Sequence, residues 1–288
     1  MKKNAAIIIT YNPSITRLLK NISELNKQGF YVYVIDNHSN NLSLITETSS
    51  FQLVQLDKNY GIAKALNIGM DIASNNGAEW VLSLDQDTEI ASNLLTEYEK
   101  HLTLSQVGAL CPNIIKRGEK TKNKNNWQMQ TVQRCPTSGF FIKASVWREV
   151  GGYNEWMFID YVDYDICMKI LISGYKIYKI YNTFIIQELG KLHVNVFWSR
   201  LGKAIHIKKI ENFAVTYNHS PVRNYYYVRN SLYYIYEYKA FINAREEYKR
   251  VFKWEVKKLI LEPNRVKNLR AIIKGIKAYK EKIREDEG

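Results

Sequence analysis

No stretch of this 288-residue chain is apolar for long enough to cross a bilayer. A membrane-spanning helix needs roughly 20 consecutive apolar residues. The N-terminal run Ala5-Ala6-Ile7-Ile8-Ile9 stops at Thr10-Tyr11-Asn12-Pro13 with no small-residue cleavage site, so it reads as a first buried strand rather than a leader. Cysteine is scarce. Cys111, Cys135 and Cys167 are an odd number without metal-ligand spacing, which argues against a zinc site or a disulfide framework and for a reducing compartment. There is no repeat or low-complexity tract, and no nucleic-acid-binding motif.

What is present is a 46% hydrophobic chain, enough for a real core in one large domain with an appended helical region. The net charge of +13 is unevenly placed. Residues 1–190 carry 19 Lys/Arg against 18 Asp/Glu, whereas residues 191–288 carry 22 against 10. The first part is a nearly neutral body. The last third is either a surface for something anionic or a solvated, lysine-rich helical tail. A division into domains at 1–222 and 223–288 follows from this shift in composition.

Apolar runs and helical periodicity alternate along the first part. Residues 4–10 read as a strand, 14–28 as a helix with Ile15, Leu18, Leu19, Ile22 and Leu25 on one face, capped by Ser14 and closed by Gly29. Strands follow at 31–35, 51–56 and 80–84, with a helix over 63–74. This alternation predicts right-handed βαβ units and a mostly parallel central sheet flanked by helices, an α/β fold. Residues 117–131, rich in Lys and Asn, read as a mobile loop or irregular hairpin. Residues 136–142, 175–180 and 183–186 look like strands, and 144–150 and 166–172 like helices. Beyond 223 the chain reads as helical, basic and tyrosine-rich, broken at Pro263.

In parallel sheets ligands bind beyond the carboxyl ends of the strands. Thr10-Tyr11, Asp36-Asn37, Asn59/Gly61 and Asp85/Asp87 would gather on that rim. The run Trp80-Val81-Leu82-Ser83-Leu84 ends in Asp85-Gln86-Asp87, two carboxylates one residue apart. On a strand, i and i+2 point the same way, and a divalent cation bridging a diphosphate is one reason to hold two anions together. A solvated turn is the other reading of the pair.

The motifs Ile9-Thr10-Tyr11-Asn12, Val34-Ile35-Asp36-Asn37, Asn59-Tyr60-Gly61-Ile62-Ala63 with Ala65, Asn67 and Gly69, Leu84-Asp85-Gln86-Asp87, Thr137-Ser138-Gly139-Phe140 and Gly151-Gly152-Tyr153-Asn154-Glu155 together resemble family 2 glycosyltransferases of the GT-A (Rossmann-like) fold. Phe158-Ile159-Asp160-Tyr161-Val162-Asp163 and His219-Ser220-Pro221-Val222-Arg223-Asn224-Tyr225-Tyr226 with Arg229-Asn230 look like the rhamnosyltransferase branch, which includes enzymes of bacterial O-antigen and capsule assembly. The resemblance covers about residues 5–235.

It implies a donor site formed by Thr10, Tyr11, Asn12, Asp36, Asn37, Asn59, Gly61, Lys64, Asp85, Gln86 and Arg229. Tyr11 would stack on a pyrimidine, and Asp36 would accept the ring N–H of uracil or thymine. Gly61 would permit close backbone approach to the diphosphate. Mg²⁺ or Mn²⁺ would be held by Asp85 and Asp87, with Gln187 standing where family members often place a histidine. Asp163 is the implied general base, Asp160 the runner-up, and Ser138, Gly139 and Asp165 would meet the acceptor. Arg223 and Arg229, six residues apart, cannot share one task on a helix.

The resulting expectation is an inverting, metal-dependent transferase moving L-rhamnose from dTDP-L-rhamnose to a lipid-linked or polysaccharide acceptor. Its place would be peripheral, on the cytoplasmic face of a bacterial plasma membrane. The rings of 225–238 and the basic helices beyond would suit an anionic membrane surface, and a homodimer is left open. UDP-galactofuranose, UDP-galactose and UDP-glucose are alternative donors. Two other classes compete. A phosphohydrolase with Asp85 as nucleophile is disfavoured by Glu89, which stands where such enzymes prefer Thr or Val. A nucleic-acid-binding protein is disfavoured by segregation of the basic residues from the strand-end cleft.

Overall fold

The computed structural model describes residues 4–41, 50–118, 128–188, 193–217 and 219–287. The Lys/Asn-rich loop expected over 117–131 lies mostly outside them. The chain forms two compact units: Met1–Phe158 with Val162–Glu188, and Ile159–Tyr161 with Leu189–Gly288. Compactness therefore does not follow the 1–222 and 223–288 division, because residue 222 lies within a helix of the second unit.

The first unit runs β1 (Asn4–Thr10), α1 (Ile15–Gln28), β2 (Tyr31–Asp36), β3 (Gln52–Gln55), α2 (Ile62–Asn75), β4 (Trp80–Asp85), β5 (Glu89–Ile90), α3 (Leu94–Glu99), β6 (Val107–Lys116), β7 (Met129–Thr131), β8 (Phe140–Lys143), α4 (Ala144–Glu149), α5 (Val162–Ile172) and β9 (Lys176–Gln187). The sheet order is β3-β2-β1-β4-β8-β6-β9-β5, with β7 also on β9. β3, β2, β1 and β4 are mutually parallel, as are β6 and β9; β8 runs against both β4 and β6. From β1 the chain winds to one side through β2 and β3, then crosses back to β4 on the other. This order puts a topological switch point at the carboxyl ends of β1 and β4.

Helices cover both faces. On one, Leu18, Ile22 and Leu25 of α1 join Ile8, Val34, Leu82 and Phe141 in the core, where each fully buried aliphatic side chain stabilises the fold by about 1.5–3 kcal/mol. On the other, α2 lies so close that a Cβ on Gly69 would come within 3.0 Å of Ile7 and 3.1 Å of Ile35. Gly29 closes α1 in the left-handed region at φ 99°. Ser14 holds the cap position with extended backbone, yet its side chain makes no capping hydrogen bond. The two strands expected at 175–180 and 183–186 are one strand, β9, whose pairing with β6 slips at Pro112/Asn113 instead of breaking. Cys111, Cys135 and Cys167 are buried free thiols.

The second unit contains β10 (His193–Val194), α6 (Val196–Ala204), α7 (Lys208–Phe213), β11 (Val215–Thr216), α8 (Pro221–Glu237), α9 (Ala244–Leu261) and α10 (Arg265–Glu287). Asn195, Ser220 and Asn243 cap α6, α8 and α9, and Pro221 opens α8 where its missing N–H costs nothing. The chain breaks near Pro263 as expected, and also between Glu237 and Ala244. α8 and α10 approach closely: a Cβ on Gly275 would lie 2.8 Å from the Tyr225 carbonyl oxygen. The tyrosines of α8 are spent on packing. Tyr234 and Tyr238 are buried, Tyr225, Tyr226, Tyr227, Tyr233 and Tyr236 half-buried. Tyr161 packs against Tyr227 and Tyr234, and Asn230 donates to the carbonyls of Ile159 and Asp160 at 2.7 and 2.9 Å. Among the described residues, no helix is long and apolar enough to cross a membrane.

Candidate active site

At the tips of β1 and β2, Thr10 pairs in register with Asp36. Thr10 Oγ1 donates to Asp36 Oδ1 at 2.8 Å, the Ser39 hydroxyl donates to the same oxygen, and the Ser39 N–H donates to Oδ2 at 2.8 Å. Asp36 is fully buried, so these donors replace the water its charge would otherwise require. Asn12, at φ 50°, accepts from the Asn40 N–H at 2.8 Å and donates its own N–H to Ser39 Oγ at 2.7 Å. The ring of Tyr11 is left about half exposed, at 49%. Asn37 ties this tip to the next loop, donating to Asn59 Oδ1 at 3.0 Å and the Gly61 carbonyl at 3.2 Å while accepting from Tyr60 N–H at 2.9 Å.

β4 ends at Asp85, so Asp87 is not a strand residue and the i, i+2 argument does not reach it. Thr88 N–H closes a turn onto the Asp85 carbonyl at 3.2 Å. Ser138 and Gly139, expected at the acceptor, instead brace this turn. Ser138 Oγ accepts the Asp85 N–H at 3.1 Å and contacts Thr88 Oγ1 at 2.7 Å, and Gly139 N–H donates to the Ser83 carbonyl at 2.8 Å. Asn21 holds the Thr88 carbonyl at 2.7 Å. Asp85, Gln86 and Asp87 are each partly exposed.

Around Asp87 lies a charge network that the sequence did not announce. Arg17 pairs with Glu188 at 2.6 Å, Arg117 with Glu188 at 3.2 Å and with Glu89 at 2.7 Å, and Lys20 with Glu89 at 3.5 Å. The Arg17 pKa is raised first by Glu188, with Asp87 and Glu89 adding to it. Gln187 ends β9 one step beyond Ile186, which pairs with Glu89 two residues after Asp87. Among the described residues no group of three or more His, Cys, Asp and Glu forms a metal site. Two partly exposed carboxylates, Asp85 and Asp87, and the Gln187 amide oxygen offer only oxygen donors. That set would suit a hard divalent cation such as Mg²⁺ or Mn²⁺.

The start of α2 is set by a close approach. Gly61 has φ 83°, and a Cβ there would lie 2.5 Å from the Phe158 ring; Ile62 N–H donates to the Phe158 carbonyl at 2.7 Å. Lys64 is engaged by Glu155 at 2.8 Å. Asn67 accepts from Tyr153 N–H at 2.9 Å and donates to the Tyr153 carbonyl and Glu155 Oε1 at 2.9 and 3.0 Å. This segment leads into α5, where Asp163 is partly exposed and accepts the Tyr164 N–H at 3.0 Å. Tyr153, fully buried, has its pKa pushed up by burial, with the Asp163 charge a smaller contributor. Asp165 is buried and paired with Lys169 at 3.1 Å, so it serves the packing of α5 rather than a ligand surface.

In the second unit, Arg223 grips both carboxylate oxygens of Asp160 at 2.9–3.3 Å. Arg229 is buried, donating to Asn230 Oδ1 at 2.9 Å beneath the Tyr225 and Tyr226 rings. The two arginines thus meet different partners. Phe158, Asp160 and Tyr161 all have φ near +60°, a costly backbone for non-glycine residues and one that clusters at functional sites. A cavity of about 800 Å³ is lined by Asp160, His219, the rings of Tyr217, Tyr227 and Trp254, and the cations Arg250, Lys253 and Lys257, among others.

Residues 5–159 match glycosyl transferase family 2. The chain is 30% identical over 244 residues to the dTDP-rhamnosyl transferase RfbF of Shigella flexneri, covering 78% of this chain and 77% of that one. S. aureus TarS in complex with UDP-GlcNAc superposes with a TM-score of 0.56 at 16% identity over 96% of this chain and 81% of its own. GalNAc-T7 with UDP, GalNAc and Mn²⁺ gives 0.57 at 15% over 66% of this chain, which spans 44% of that structure. The structural matches carry the GT-A-like fold, and family membership displaces the phosphohydrolase and nucleic-acid readings. With switch-point tips and sequence in agreement, the chain belongs to glycosyl transferase family 2 and is a glycosyltransferase that uses a nucleotide-sugar donor.

Proposed function

We propose that this enzyme transfers L-rhamnose from dTDP-L-rhamnose, with inversion, to a phosphate-bearing glycan acceptor of bacterial surface-polysaccharide synthesis at the cytoplasmic membrane face. One observation carries the proposal: the 30% identity to a dTDP-rhamnosyl transferase runs across 78% of the chain. The rim that would cradle a nucleotide is built at the switch point from Thr10, Asp36, Asn37 and Gln86.

In this reading Tyr11 stacks on the thymine and Asp36 faces its ring N–H. Gly61 makes room for Phe158 at the start of α2, and the helix N-terminus there would meet the diphosphate, where backbone N–H groups and helix dipole favour negative charge. Asp85, Asp87 and Gln187 would hold Mg²⁺ or Mn²⁺, which would supply positive charge to neutralise the departing nucleoside diphosphate. Mn²⁺ in the GalNAc-T7 structure supports a divalent ion of this kind. Asp163 takes the proton of the acceptor hydroxyl as its oxygen bonds to the sugar C1 and the C1–O bond to diphosphate breaks. The bidentate grip of Arg223 on Asp160 disfavours Asp160 as base, because both of its carboxylate oxygens are already engaged by the guanidinium. The cavity of aromatic faces and cations beside Asp160 suits a saccharide carrying phosphate.

The test is nucleotide release with membrane extract as acceptor source. dTDP-L-rhamnose should support turnover that UDP-glucose, UDP-galactose and UDP-galactofuranose do not. Release of UDP at a comparable or higher rate would reassign the donor.

A further inference from the structure

Within the second unit, α6 and the residues on either side of it display apolar side chains that no described residue covers. Phe197 is 67% exposed and Val196 58%, and Val194, Leu201, Ile205 and Ile207 are exposed as well. A soluble surface carries isolated apolar residues without meaning, but a run of six in fourteen positions calls for an occupant. The neighbouring Trp198 shows that the segment can bury a ring: it is half-buried, 5.7 Å from Phe213. Phe197 is turned out beside a tryptophan that packs in.

Charge identifies the occupant. Arg200, Lys203, Lys208 and Lys209 are exposed among these residues, and Glu211 is the only acid in the sequence from 193 to 213. Apolar side chains interleaved with Lys and Arg, whose aliphatic stems reach past apolar surface to place their charge at headgroup level, describe a helix lying in a bilayer interface. Exposed apolar residues of α9, such as Phe252, are set among Glu246, Glu247 and Glu255, whereas Val266, Leu269 and Ile273 of α10 stand among basic residues alone and form a smaller patch of the same kind. The tyrosines of α8 are committed to packing.

We infer that α6 and the turn after it, through Ile207, form an interfacial anchor whose apolar face, led by Phe197 and Leu201, inserts into an anionic lipid surface while the basic residues at the start of α7 meet its headgroups. The inference rests on the peripheral-membrane reading and narrows it to one face.

Co-sedimentation of the full-length protein with vesicles of phosphatidylcholine, or of equal parts phosphatidylcholine and phosphatidylglycerol, tests it. The protein should bind the anionic vesicles and be released by salt. A Phe197→Glu/Leu201→Glu double variant should lose binding by about tenfold or more, since each side chain forfeits its buried apolar area. Both positions are exposed, so folding and donor turnover on a water-soluble acceptor should be unchanged. If wild type binds anionic vesicles and the variant binds them equally, the anchor lies elsewhere, although the membrane reading stands. If wild type binds neither vesicle, both fall. A shift from dimer to monomer in the variant with vesicle binding intact would assign the face to a second copy and overturn the inference.

Discussion

Gln86 and Tyr11 hold each other through two opposed hydrogen bonds: Tyr11 N–H donates to Gln86 Oε1 at 2.7 Å, and Gln86 Nε2 donates to the Tyr11 carbonyl at 3.2 Å. The amide between the two carboxylates thus fastens the tip of β4 to the tip of β1 across the switch point. Gln86→Ala should raise the donor KM by about tenfold, the worth of two partly exposed hydrogen bonds, with little change in Tm. Gln86→Glu, which keeps only the acceptor, should fall between. An unchanged donor KM in the alanine variant would mean that the clamp has no part in donor binding.

Asp87→Ala should reduce metal-stimulated turnover by about a hundredfold or more, because a divalent ion contributes several kcal/mol to stabilising the leaving diphosphate. Asp87 is partly exposed in a turn anchored by Ser138 and Asn21, so circular dichroism should be unaltered. Wild-type activity in this variant would remove the metal from the mechanism.

Asp163→Asn preserves shape and can still accept the Tyr164 N–H. It should leave donor binding intact while kcat falls by roughly 10²–10⁴-fold, the range for loss of a general base. Asp160→Asn should lose less kcat, since it breaks the pair with Arg223 rather than removing the base. Unchanged kcat in Asp163→Asn would transfer the base to another residue.

His219 is held neutral to a pKa of about 4, against 6.5 ordinarily, chiefly by burial, then by Arg223 and Lys258, with Asp160 opposing. Between those values the unfolded chain takes up a proton that the folded chain refuses. Stability from this group is therefore fully present above about pH 6.5 and is lost as pH falls toward about 4. Thermal unfolding of His219→Gln should show a smaller drop in Tm than wild type between neutral pH and about pH 5. Parallel curves would count against the buried, neutral histidine.

Lys258 is fully buried, 2.7 Å from Glu255 and 2.8 Å from Asn224 Oδ1. Lys258→Ala should destabilise by about 3–5 kcal/mol by stranding the Glu255 carboxylate, whereas Lys258→Met with Glu255→Leu should cost much less. Equal losses in chemical denaturation for the single and double variants would show that packing, not charge, dominates there.

The sequence by itself determined β1, β2, β4, α1 and α2 and the polar tips where these strands stop. Those elements follow from local rules: apolar runs of strand length, a 3.6-residue stripe, a left-handed glycine at the helix end. It also carried the family, through motifs spread over residues 5–235. The strand Val107–Lys116 was illegible because Gly108 and Pro112 break its pattern, and only pairing with β8 and β9 tolerates them. The tertiary structure alone decided what several site residues do. Lys64 meets Glu155, 91 residues away, and Asp85 N–H meets Ser138, 53 residues away. It likewise turned the tyrosines of α8 inward and left Phe197 outside. Such partners are set by where the sheet order brings distant segments, and sequence periodicity holds no record of that.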